Sequence, residues 1–147
     1  MSKREQREQL FKLLFRVEFN ERDEMPEQIR LFTESGLLID EKDVPLSEEE
    51  AALISGKYDK IMVQLDRIDT LLSDKAEKWS IDRMGKVELA ILRLAVYEIC
   101  FDPQIPIGVA INEAVELAKK YGQDNAGSFV NGILAKFSDE EKIKEDE

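Results

Sequence analysis

Apolar residues recur at helical spacing along the chain, and the elements they predict are helices. The first is expected from Ser2 to Phe19, with Leu10, Phe11, Leu13, Leu14, Phe15 and Val17 on one broad face. Pro26 opens a second, PEQIRLFTES, and Gly36 closes it. The stretch LLIDEKDVP reads as a loop. Ser47, with Glu50 three residues on, forms a capping-box pattern for a third helix through Leu53, Ile54, Ile61, Met62 and Leu65. A fourth, near Asp66 to Lys78, carries Ile68, Leu71 and Leu72.

From Trp79 the pattern changes. KVELAILRLAVYEICF (Lys86 to Phe101) is apolar around nearly its whole circumference, as in a helix buried on most sides. Asp102, Pro103 and Pro106 end it. The next helix, near Gly108 to Tyr121, turns Ala110, Ile111, Ala114, Leu117 and Ala118 inward, and Gly122 stops it. The last carries Phe129, Val130, Ile133, Leu134 and Phe137 on one side, with Ser128 as its expected N-cap. Gly132 lies inside that helix, where glycine costs about 1 kcal/mol against alanine. A close approach of two helix backbones is the expected reason. The pattern therefore predicts an all-α protein of about seven helices. One domain, 1–137, is expected, with a change of composition at Trp79. The tail 138–147, with six acids and two lysines, is expected to be disordered.

Charge adds a second pattern. A chain of 147 residues can bury roughly two-thirds of its unfolded surface, so it needs no covalent staples. Its formal charge is −11, unevenly spread. Residues 18–50 hold twelve acids against three bases, whereas residues 1–16 hold five bases against two acids. Lys3, Arg4 and Arg7 fall on the apolar face of the first helix, one or two turns before the core residues. A core cannot bury three unpaired cations, so these turns must overhang it. The patch suits phosphate contact; it equally serves to solubilise a helix end.

Other chemistries are narrowed by what the sequence contains. There is no histidine, which removes imidazole catalysis and imidazole metal ligation. No phosphate loop, dinucleotide loop or nucleophile elbow is present. An enzyme, a cofactor and a bound metal are not expected. Cys100, the single cysteine, sits in an apolar run and reads as core. No apolar stretch approaches a membrane span, and MSKREQREQ lacks a signal-peptide centre, so the expected setting is cytoplasmic.

Three strings then resemble a known family: REQLFKLLFRVEF (Arg7 to Phe19), ILRLAVYEI (Ile91 to Ile99) preceded by Trp79, Asp82 and Arg83, and PIGVAINEAVELAKKYGQDNAGSFVNGIL (Pro106 to Leu134). Their order and spacing resemble the NusB family of bacterial transcription antitermination factors. The likeness implies two small helical bundles sharing the first helix, an N-terminal one over about 1–78 and a C-terminal one over about 79–137. It implies binding of boxA-type RNA of ribosomal RNA leaders together with NusE, a ribosomal small-subunit protein. The pair then acts in the antitermination complex on RNA polymerase, so that terminators are read through. The resemblance assigns RNA contact to Lys3, Arg4, Arg7, Asp82, Asn125 and Phe129, and partner contact to Phe15, Glu18 and Glu88. Spacing alone leaves Phe129 as either core or a base-stacking platform. Relative to the family, Glu5 and Glu8 interrupt the basic run. Monomer and homodimer are both compatible with the resemblance. Two other readings stand beside it. One is an acidic helical scaffold that binds only protein. The other is a stand-alone accessory domain related to ribosomal RNA methyltransferases.

Overall fold

A computed structural model describes residues 2–18, 22–35, 46–77, 79–140 and 142–143. Among them are seven α-helices, three short 3₁₀ turns and no strand. The chain divides into two units, 1–62 and 63–147. The sequence-read boundary at Trp79 falls inside the second.

The first unit holds α1 (Lys3–Arg16), α2 (Met25–Ser35) and α3 (Glu48–Val63). Two of its helix starts are closed by the same device. Ser2 Oγ accepts from Glu5 N at 3.0 Å, while Ser2 N donates to Glu5 Oε1 at 3.2 Å. Ser47 and Glu50 repeat the reciprocal pair at 3.1 and 3.0 Å, as the sequence pattern predicts. Hydrogen bonds from these serines hold the Glu5 and Glu50 carboxyls below their ordinary range. Leu10, Phe11, Leu13 and Leu14 are buried on α1, and Ala51, Ile54, Tyr58 and Ile61 on α3. The expected close of α2 at Gly36 and the loop after it lie outside the described residues.

The second unit is built on α5 (Lys86–Phe101), which spans the residues its apolar run predicts. Twelve of its sixteen residues are buried, so it has no solvent face to spare. Helices α4 (Leu65–Lys75), α6 (Ile107–Tyr121) and α7 (Ala126–Leu134) pack on it, and α6 also packs on α7. A polar clamp ties α4 to α5. Arg93 Nε and Nη2 donate to the two carboxylate oxygens of Asp69, each at 2.9 Å. This two-pronged geometry satisfies a charge that the buried helix could not otherwise hold.

The tail departs from expectation over its described part. Lys142 Nζ donates to the carbonyls of Glu98 and Ile105, at 2.6 and 2.7 Å. Glu140 pairs with Lys75 at 2.9 Å, and Ile143 N donates to the Cys100 carbonyl. Helix-end carbonyls need donors, and an ammonium at a helix C-terminus also meets the dipole favourably. Composition alone does not show a lysine recruited for that purpose.

Candidate nucleic-acid interface

The basic end of α1 overhangs as its pattern requires. Lys3 and Arg4 are exposed and Arg7 is half-buried. The two acids among them have structural work. Glu5 closes the capping box, and Glu8 stands 3.8 Å from the ammonium of Lys12, which is only 3% exposed. Both carboxylates that interrupt the basic run are therefore committed to the helix that carries it. At the other end of α1, Phe15 is half-buried with its ring 6.2 Å from Phe11, and Glu18 is half-buried in the closing turn.

In the second unit, Asp82 is exposed on the 3₁₀ turn Ile81–Arg83 that leads into α5. Glu88, in the first turn of α5, is half-buried. Its carboxylate folds back over Gly85, where a Cβ would overlap it, and its Oε1 lies 3.4 Å from the point a Cβ would occupy on Gly122. Gly85 thus leaves room for the carboxylate, and Gly122 borders it at ordinary contact distance. The sequence marked Glu88 but not this niche.

The start of α7 differs from its expected form. Asn125, not Ser128, is the N-cap residue: the helix begins at Ala126, and the Asn125 carbonyl accepts from Phe129 N at 3.0 Å. The Asn125 side chain makes no capping bond and is exposed, and Ser128 is exposed in the first turn. Phe129 is half-buried, between the core and platform readings. The indole of Trp79 meets its ring edge-on, with centroids 5.3 Å apart and planes at 90°. Trp79, the only tryptophan, is 51% exposed. The two rings line a cleft of about 310 Å³. Gly132 and Ile133 line it too, with Ser128 and Lys136 beside them.

Gly132 corrects the packing expectation. It is exposed, and a Cβ built on it would meet nothing within 4 Å. No helix crosses there. The glycine opens a cleft instead. Ile133 and Phe137, at helical spacing from Phe129, are buried. Trp79 and Lys136 line the cleft although the sequence marks neither for it; the one signal is a lone tryptophan just before the most buried helix.

Among the described residues, no cluster of Cys, Asp or Glu could hold a metal ion, and no helix is long and apolar enough to cross a membrane. The arrangement comprises exposed cations on one unit and an exposed amide, a carboxylate and an aromatic corner on the other. Such groups bind phosphates and unstacked bases.

Comparison with known proteins follows the same line. The model of the NusB family matches residues 4–139. The transcription antitermination protein NusB of Lachnoclostridium phytofermentans is 48% identical over 139 residues, 95% of this chain and 100% of that protein. Among solved structures, T. maritima NusB superposes with a TM-score of 0.75 at 36% identity, covering 95% of this chain and 92% of that one. The antitermination factors NusB and NusE in complex with dsRNA give a TM-score of 0.71 at 25% identity, covering 94% and 98%.

Proposed function

This chain belongs to the NusB family, and we propose on that premise that it is a transcription antitermination factor rather than an enzyme. It binds boxA-type RNA of ribosomal RNA leaders together with NusE, and the assembly helps RNA polymerase read through terminators in the bacterial cytoplasm. The observation that carries this reading is the pairing of features in one family member. Exposed Lys3 and Arg4 begin α1, and an exposed aromatic corner, Trp79 against Phe129, stands beside the start of α7. A relative of the same fold has been solved with NusE and dsRNA.

The residues divide the labour by chemistry. Lys3, Arg4 and Arg7 neutralise phosphates and position the strand without reading it. Phe129 offers a ring face to an unstacked base, and Asn125 offers an amide that can both donate and accept. Asp82 can accept from the amino group of a base. Phe15, Glu18 and Glu88 serve the protein partner. An acidic face suits a basic ribosomal protein, and complementarity of that kind sets association rate and specificity.

The formal charge of −11 shapes the mechanism. Long-range repulsion opposes RNA, although salt screens it beyond about 8–10 Å. A basic partner would supply part of the phosphate-binding charge, so the RNA surface is shared and affinity depends on both proteins. The test is fluorescence anisotropy of a labelled boxA RNA and a scrambled control, with this protein alone and with NusE. NusE should tighten binding, and the scrambled RNA should lag. If neither RNA binds under any condition while NusE still does, the protein is an acidic scaffold and the basic end only solubilises a helix terminus.

A further inference from the structure

By composition the tail belongs in water, with six acids and two lysines on a protein of charge −11, yet part of it is docked. Repulsion of like charge opposes docking, so specific contacts must hold it. They converge on the C-terminal end of α5. The last four carbonyls of a helix have no donor within it. Here the Glu98 carbonyl accepts from Lys142 Nζ at 2.6 Å, and the Cys100 carbonyl accepts from Ile143 N. The same ammonium donates at 2.7 Å to the Ile105 carbonyl, two residues beyond Pro103. Burial holds it below the usual lysine range, against the attraction of the acidic groups of Asp102, Cys100 and Glu98.

We propose that the end of α5 is a receptor for a primary ammonium, that Lys142 is its resident ligand, and that residues 138–140 with Lys142 and Ile143 are thereby a releasable strap. An ammonium has three donors and no acceptor, which suits a socket lined by carbonyl and carboxylate oxygens. Release follows from how little else holds the strap. Glu140 pairs with Lys75 at 2.9 Å, and that ammonium stands 5.8 Å over the Phe137 ring. Both side chains of the pair are about one-third exposed, and pairs so open to water contribute little. One latched lysine therefore carries the docking, and a segment with few buried contacts opens without global unfolding. Cys100 lies at the docking point. It is fully buried, and its thiol is pushed up to about 11, chiefly by burial. Glu140, Lys142 and Lys75 all act on that thiol, so the single cysteine reports whether the strap is closed.

The test follows reaction of Cys100 with dithionitrobenzoate in the full chain, beside hydrogen exchange at the Ile143 amide. In wild type the Ile143 amide should exchange more slowly than free chain and faster than the core amides of α5. Lys142→Ala should raise the thiol rate about 10- to 150-fold, the loss of one charge-assisted hydrogen bond read through an opening equilibrium. Global stability, from a urea titration, should fall by much less than that factor. n-Propylammonium replaces the atoms that the substitution removes, and it should slow the thiol of the variant again. Tetramethylammonium at the same ionic strength has no N–H to donate and should not. An unchanged thiol rate in Lys142→Ala overturns the latch. A rise matched by an equal loss of global stability makes Lys142 an ordinary part of the fold, and the strap is then not releasable. If the two cations act alike, the end of α5 is no ammonium receptor. Wild-type exchange decides even if the variant does not fold: an Ile143 amide as fast as free chain means no docked strap, and one as slow as the α5 core means no release.

Discussion

Two glycines give opposite predictions for the same substitution. Replacing Gly132 by alanine places a methyl group in open space on an exposed helix. The gain is the helix propensity difference, about 1 kcal/mol. Unfolding entropy scales with length, and for 147 residues it is about 0.3 kcal/mol/K, so the melting temperature should rise by about 3 °C. Gly122→Ala introduces the same atom where it overlaps the Ala126 methyl and stands 2.8 Å from the Ala118 carbonyl oxygen. Neither neighbour can swing away, since one is a Cβ and the other is backbone. The backbone φ there is −89°, which any residue adopts, so the penalty is steric alone. Overpacking of this kind costs about 1–3 kcal/mol, a fall of about 3–10 °C. Thermal melts followed by circular dichroism, with urea titrations for confirmation, measure both. The pair is its own control for composition and size, which change alike in both variants. A Gly132→Ala variant that melts below wild type would mean that the site is crowded after all. The account of the open cleft would then be refuted. If the variant is more stable yet binds RNA less well, the glycine is kept for function at a cost in stability.

Three further outcomes are expected. Asp69→Ala removes the two-pronged acceptor of Arg93 between α4 and α5; with both side chains largely buried, the loss should be about 2–3 kcal/mol, read from a lower urea midpoint at unchanged slope. A midpoint within error of wild type would show that the clamp contributes nothing net. The Glu5 and Glu50 carboxyls, held low by Ser2 and Ser47, make each capping box stabilising above the unfolded glutamate value and lost as pH falls through the lower folded value. Carboxyl titration by NMR should place both midpoints below the ordinary glutamate value, and ordinary midpoints would deny the boxes. Reversing Lys3 and Arg4 to glutamate should flatten the log–log salt dependence of single-stranded RNA binding by about 1.4, or 0.7 for each phosphate lost. An unchanged slope would assign these side chains to solubility alone.

Legibility in the sequence followed the range of each interaction. Helix α5 could be bounded to the residue because its own apolar run and the prolines after it decide its limits. The box at Ser47 is likewise a four-residue matter. The identical device at Ser2 is as local, but there Glu5 also stands among the cations of the first turn, and its charge masks its role as a cap. Residue type favours Ser128 as the N-cap of α7, but the cap position is held three residues earlier by Asn125. Arg93, a cation on a helix apolar nearly all round, needs a partner by its position alone; that the partner is Asp69, 24 positions away, is decided by packing. The cleft was the least accessible feature. Its walls come from Ala76, Glu77 and Trp79 on one side and from positions between Ser128 and Lys136 on the other, some fifty residues apart in the chain. Periodicity reports which side of a helix is apolar, not whether an apolar ring has a neighbour or a void beside it, so it suggests a helix crossing at Gly132 where the space is open.

The distribution of charge bears on how so acidic a protein can meet RNA at all. Of the formal −11, residues 18–50 contribute −9 and the tail 138–147 contributes −4. The body of the second unit, residues 63–137, is nearly balanced, with eleven acids and nine bases. Residues 1–16 are positive, and their two acids are tied to Ser2 and Lys12. The segments that carry the proposed RNA contacts are thus far less negative than the stretch 18–50 and the tail. Within a screening length of about 8–10 Å, a phosphate responds to local charge more than to the total. Net charge alone would have argued against a nucleic-acid partner. Its partition along the chain removes that objection, and it leaves the acidic segments for a basic protein partner.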